Sequence, residues 1–251
     1  MNLSRLSSAI LLVSLLATAA CGDFRAPTDL RYPQVLAVRL FSPELRPGES
    51  TGLDVLCSDA AGTPLVLAPK EVALAPDPSG QPIVLPPEVS PPIVQQKGKW
   101  SMRAPDQQQM DLIATSLGLP PEAPLLVSLR ITVEIGGEIR RADKVVAVLR
   151  AAGAAPAPNP QLGALLLDDA PVGEEGLTVQ VGSEHVLTLA SQAGSGPLAL
   201  SWYAPVEDLK HFRSPTAILK PTEPAEGVLL VVGRNDRGGV DWKWAKLVVR
   251  P

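Results

Sequence analysis

Two histidines and two cysteines in 251 residues leave little from which to build a nucleophile–base pair or a metal cage. Neither His185 nor His211 has a second His or Cys at ligand spacing, so each reads as a surface or capping residue. A Gly-x-Ser-x-Gly elbow, a phosphate loop and a His-Glu-x-x-His element are all missing. The expectation is therefore a non-enzyme with no catalytic residue, no cofactor and no metal. Asp168, Asp169, Glu174, Glu175, Asp236 and Asp241 lack the spacing of a calcium loop and read as solvated turn carboxylates. Positive charge is not in excess either: 22 Lys+Arg against 26 Asp+Glu give a net charge of −4, which argues against nucleic acid as a partner. Aromatic residues are only 4% of the chain, so each one carries information about where a core or a contact lies.

Proline, by contrast, is abundant at 27 residues, about twice its usual share. Such a chain favours strands joined by turns over packed helices. Val35 to Leu40 is a first strand, residues 43–50 a turn-rich kink, and Gly52 to Ser58 a second strand carrying Cys57 as a small buried hydrophobe. Asp59 to Gly62 turn the chain into Leu65-Val66-Leu67. Residues 76–92 hold Pro76, Pro78, Pro82, Pro86, Pro87, Pro91 and Pro92, which bars a central strand and predicts a long surface loop. Residues 105–120 are the one clear helix: Asp106 caps it, Met110, Ile113 and Leu117 stripe one side, and Gly118 and Pro120 end it. It reads as a crossover helix covering an open end of a core. Leu125 to Ile135 and Glu138 to Arg150 alternate around Gly136-Gly137, the pattern of a hairpin with a primed turn. Ala151 to Pro160, with three prolines and no charge, is an interdomain linker.

The one long apolar run opens the chain. Arg5 precedes an apolar segment from about Ala9 to Ala20, which ends in Thr18-Ala19-Ala20 immediately before Cys21. A positive start, an apolar middle and small residues at the cut make a secretory signal, too short for a comfortable spanning helix. Small residues followed by Cys resemble the lipobox of bacterial lipoproteins, although Thr18 stands where that family usually has Leu. The resemblance implies removal of residues 1–20 and lipidation of Cys21, with fatty chains such as palmitate holding the protein to a membrane. It further implies a bacterial cell envelope, and Gly22 rather than Asp after the cysteine points to the outer membrane. Residues 21–33 then read as the lipidated cysteine and a flexible stalk. Loss of Cys21 to lipid leaves Cys57 alone, so no disulfide framework is expected.

Beyond the linker, about seven short strands with frequent turn signals form the pattern of an immunoglobulin-like sandwich. The Leu200-Ser201-Trp202-Tyr203 strand and the Asn235-Asp236-Arg237-Gly238-Gly239 turn before the closing strand resemble those of bacterial immunoglobulin-like and PKD-type domains. That resemblance places Trp202 in the core. The kink around Pro47-Gly48 resembles the opening corner of the same domains. The expected fold is therefore all-β: two immunoglobulin-like antiparallel β-sandwich domains in tandem, at 34–150 and 163–251, joined by a linker at 151–162, the first with a short inserted helix.

Trp242 and Trp244 share a face of the last strand, so they can form a stacking platform for sugar rings or fill the core beside Trp202. Leu247 and Val249 have the opposite parity, which predicts a bulge near Ala245. His211, Phe212 and Arg213, in a loop, are the other candidates for a partner contact. The function expected is a lipid-anchored, non-catalytic binding or structural module of the cell envelope, meeting the membrane through its lipid and a protein or glycan through its loops. The alternative is an accessory lipoprotein subunit of an envelope machine for secretion, motility or polysaccharide export.

Overall fold

The computed structural model describes residues 28–75, 91–120, 122–150, 155–190, 196–206 and 208–251. The leader, Cys21 and residues 76–90 of the proline-rich run lie outside the described residues.

Alternating apolar residues produce strands that bury one face, and the first nine strands make two such layers. One sheet has β1 (Gln34–Leu40), β3 (Ser50–Ser58), β7 (Lys99–Arg103) and β6 (Ile93–Gln96) in that order, with β4 (Pro64–Leu67) added on β3. The other runs β2 (Glu44–Leu45), β9 (Glu138–Val148), β8 (Leu125–Ile135) and β5 (Glu71–Leu74). The kink between β1 and β3 moves the chain from one sheet to the other, because β1 pairs with β3 whereas β2 pairs in parallel with β9. Pro47 and Gly48 form its tight turn, with φ +77° at Gly48.

The second half repeats this plan. β10 (Leu165–Leu167), β13 (His185–Leu189), β16 (Ala217–Leu219) and β15 (Leu209–Lys210) form one sheet, edged by β11 (Ala170–Pro171). β12 (Leu177–Gln180), β18 (Val240–Arg250), β17 (Ala225–Arg234) and β14 (Ala199–Tyr203) form the other, and β12 again runs parallel to the last strand. A first strand that switches sheets to lie parallel to the last, with the remaining strands in ABED and GFC order, is immunoglobulin topology in both halves. The chain is therefore all-β, two immunoglobulin-like sandwiches in tandem, with one helix inserted in the first.

That helix, α1 (Gln107–Leu117), bridges β7 and β8. Asp106 and Gln109 form a reciprocal capping box, and Gly118 closes the last turn at φ +62°. Met110 and Ile113 enter the first core as the stripe predicts, but Leu117, in the last turn, is exposed. The β8–β9 hairpin turns through Gly136 and Gly137, both at positive φ, as a primed turn requires.

Each sandwich has its own core. The first centres on Leu40, Val55, Leu129, Ile131 and Val146, and includes Cys57, whose thiol burial pushes up to about 12. The thiol is inert filler there. The second centres on Trp202, fully buried on β14, whose indole N–H donates to Ser214 O at 3.0 Å.

A third apolar cluster joins the halves. Leu30, Leu36, Ala37 and Leu56 of the first half pack against Leu230, Val232, Val240 and Trp242 of the second, with Tyr203 beside them. This cluster overturns two expectations. Residues 28–33, expected as part of a flexible stalk, are held in place. Leu30 is fully buried, and Ala204 N–H donates to Thr28 O at 3.1 Å. β18 also has no bulge: its pairing with β17 runs without a register shift from Val240 to Val249. Its odd residues Ala245, Leu247 and Val249 pack on their own core and its even residues Val240 and Trp242 on the neighbouring sandwich, so no change of face is needed.

Candidate functional site

The outer face of the β14–β17–β18 layer is built from three cross-strand rows. Ala199, Arg234 and Val240 form the first; Ser201, Val232 and Trp242 the second; Tyr203, Leu230 and Trp244 the third. The first sandwich covers the middle of this face. Trp242 is only 8% exposed, and Arg39 of β1 stacks on its ring at 4.1 Å from the centroid. Arg39 is itself held by Asp54 at 3.0 Å and Asp241 at 3.4 Å. Trp242 is thus the centre of the join between the sandwiches and not an open platform.

Trp244, two residues on, clears the edge of the first sandwich and is 47% exposed. Beside it runs a groove of about 410 Å³ lined by Leu165, Val172, Glu174 and Lys243, with Trp242 at its inner end. An exposed indole with an adjoining apolar floor and two flanking charges suits the face of a sugar ring or an apolar side chain of a partner. The other candidates do not line that groove. Leu209 is buried ahead of them, His211 is exposed at φ +54°, and Phe212 is half-buried against the second core. Phe212 O accepts from Trp202 N–H at 2.8 Å, and Arg213 lies 5.5 Å from the Phe212 ring. This loop is therefore pinned to the core tryptophan, and of its three residues His211 and Arg213 face solvent.

Spacing concealed two arrangements. His185 Nδ1 lies 2.7 Å from Asp168 Oδ2, and its Nε2 lies 2.8 Å from Ser183 Oγ. The order Ser, His, Asp has the connectivity of a hydrolase triad, but the Ser183 hydroxyl donates to Gln180 O. With that proton committed to Gln180 O, the Ser183 hydroxyl does not donate to His185 as a hydrolase nucleophile does to its base. Asp168 also accepts from Val186 N–H at 2.8 Å, and that bond, with the one from His185, holds its carboxyl below the usual range. The trio clasps the turn after β10, where Asp168 and Asp169 both take positive φ.

The second arrangement is the seam itself. Glu44, almost fully buried, accepts from Nε and Nη2 of Arg237 in a two-pronged pair and also accepts from Ala157 N–H at 2.7 Å. Asn159 donates to Leu40 O at 2.7 Å and accepts from Val240 N–H at 2.9 Å, so the linker is stitched to both sides. Arg234 donates to Leu36 O at 2.8 Å, and Lys144 to Gly238 O at 2.6 Å. Burial, and then the neighbouring Arg234 charge, pull the Lys144 ammonium down to about 8. None of these residues forms a sequence motif, because the partners lie 81 to 198 residues apart along the chain.

No family model matches the chain, and no curated protein sequence matches it. Solved structures share its tandem architecture at low similarity. Against the N-terminal Ig1-2 module of the Drosophila receptor protein tyrosine phosphatase DLAR it has 11% identity, covering 87% of this chain and 99% of that one, with a TM-score of 0.25. Fibronectin(III)-like modules of Clostridium thermocellum CbhA give 12% identity over 85% and 94%, with a TM-score of 0.28. A Bacteroides ovatus protein, SGBP-B, in complex with a mixed-linkage heptasaccharide gives 12% identity over 87% of this chain and 45% of that one, at a TM-score of 0.18. Values this low carry neither partner nor activity from those proteins to this one.

Proposed function

We propose that this chain is a lipid-anchored protein of a bacterial cell envelope, held at the outer membrane through Cys21, whose paired sandwiches act as a non-catalytic binding module. The anchor rests on the apolar leader and the small residues before Cys21. The binding role rests on one observation: Trp244 stands half-exposed beside a groove, while the chain's other tryptophan on the same strand is buried. A large exposed indole next to a concave floor is a contact residue in search of an apolar or sugar face. A second reading, an accessory subunit bracing an envelope assembly, is favoured by the clamped join, since a rigid two-domain body transmits position between partners.

Three experiments test these statements. A Cys21→Ser variant is expected to lose metabolic lipid labelling and leave the membrane fraction; continued membrane association rejects the anchor. Trp244→Ala is expected to abolish glycan-array binding by the purified protein with little change in melting temperature. Recovery of a fixed-ratio set of membrane proteins from solubilised envelope, unaffected by Trp244→Ala, favours the subunit reading instead.

A further inference from the structure

Near one end of the seam the two sandwiches part to leave a cleft of about 330 Å³. Its walls are Val35 to Val38 of β1, Ala142 to Val145 of β9, and Arg234, Asn235 and Gly238 to Val240 of the second half. We propose that this cleft binds a small organic oxyanion, a carboxylate or a phosphate ester, held between Lys144 and Arg234.

The charge balance is the first reason. Arg39, Arg130, Arg140 and Arg237 each reach a carboxylate. Lys144 and Arg234, although partly buried and close enough to repel, reach none among the described residues. Among the described residues their hydrogen-bond partners are neutral: Gly238 O for Lys144, and Leu36 O and Ser201 Oγ for Arg234. Those bonds fix the cationic heads in place and bring no negative charge. Asp143, at the rim, does not supply it, since Arg130 takes both of its oxygens at 3.0 Å. Two half-buried like charges side by side destabilise a fold, and such pairs persist where a ligand of opposite charge completes them.

Shape and position agree with this. The cleft is at the small end of ligand pockets, and a junction between domains is a common place for one. Leu36, Ala37 and Val240, which face the seam, give it an apolar lining, which suits an anionic head on a short apolar body more than a bare ion. Asn235 adds an amide whose oxygen already accepts from Gly239 N–H at 2.7 Å and Arg237 N–H at 3.2 Å, leaving its NH₂ group as a donor. An occupant would touch both sandwiches and tighten the seam.

The test is calorimetric titration of the full chain in detergent with acetate, hexanoate, inorganic phosphate and glycerol 3-phosphate. The expected result is saturable one-to-one binding of at least one probe, weakened tenfold or more by Lys144→Gln and by Arg234→Gln and unchanged by Lys99→Gln at the exposed start of β7. Binding by acetate and hexanoate alone assigns a carboxylate ligand, and binding by the two phosphates alone assigns a phosphate ligand. If Arg234→Gln does not fold, as circular dichroism would show, Lys144→Gln decides alone. Absence of saturable binding by all four probes, or binding untouched by Lys144→Gln, overturns the proposal.

Discussion

The closing strands of the two sandwiches, β9 and β18, are each 11 residues long and occupy the same place in the same topology. Their outward faces have opposite fates. On β9 the outward residues Ile139, Arg141, Asp143 and Val145 stay in water, with Val145 48% exposed. On β18 the outward residues Val240 and Trp242 are buried, because the first sandwich lies on them. An immunoglobulin sheet needs to bury only its inner face to be stable; burying the outer one as well is a property of the tandem and not of the domain. That difference turns two modules on a tether into one body with a seam.

The comparison breaks most severely at Trp242. Trp242→Ala removes the ring that Arg39 stacks upon and is expected to destabilise the join by about 3 kcal/mol. Denaturant unfolding followed by circular dichroism should then split into two transitions, one per sandwich, where the parent shows one. A single unchanged transition would mean that the outer face of β18 contributes nothing to holding the halves together.

Glu44→Gln comes next. It leaves Arg237 facing a neutral amide beside a nearly buried position and is expected to cost about 1–3 kcal/mol, read as a lower denaturant midpoint. Arg130→Gln, which breaks the exposed pair with Asp143 on the open face of β9, should change stability by no more than about 1 kcal/mol.

Lys144 gives a smaller effect that shows as a slope with pH. Its ammonium loses its proton near pH 8 in the fold, whereas the ordinary lysine value is 10.5. Between those values the unfolded chain holds more protons, so stability should rise as pH goes from about 8 to 10.5, with the full penalty present below pH 8. Denaturant midpoints at successive pH values should show that rise in the parent, and it should be absent in Lys144→Met. Smallest of all, Val145→Thr on the exposed face of β9 should move the midpoint by less than about 0.5 kcal/mol equivalent.

Much of this architecture was legible beforehand because its signals are local. Asp106 and Gly118 announce the ends of α1 within a few residues of the helix itself. Gly136-Gly137 between two alternating runs marks the β8–β9 hairpin, and Trp202 in an apolar strand marks the second core. The candidate contact was legible only in part. Trp242 and Trp244 have identical parity on one strand, so pattern alone assigns them one fate. They part because the first sandwich ends between them. The parity conflict with Leu247 and Val249 suggests a bulge because antiparallel strands commonly bury one face, whereas β18 keeps its register and buries Val240 and Trp242 on one face and Leu247 and Val249 on the other.

From its residues alone this chain specified an all-β tandem, the inserted helix, the lone buried thiol and the spare of tryptophans from which a contact can be made. Each follows from chemistry acting over a few neighbouring positions: alternation, capping, turn conformation and size. The seam, the pairing of Glu44 with Arg237, the clasp of Asp168 on His185 and the meeting of Lys144 with Arg234 were decided by tertiary structure. Their partners are distant along the chain, and charge and burial depend on what is near in space.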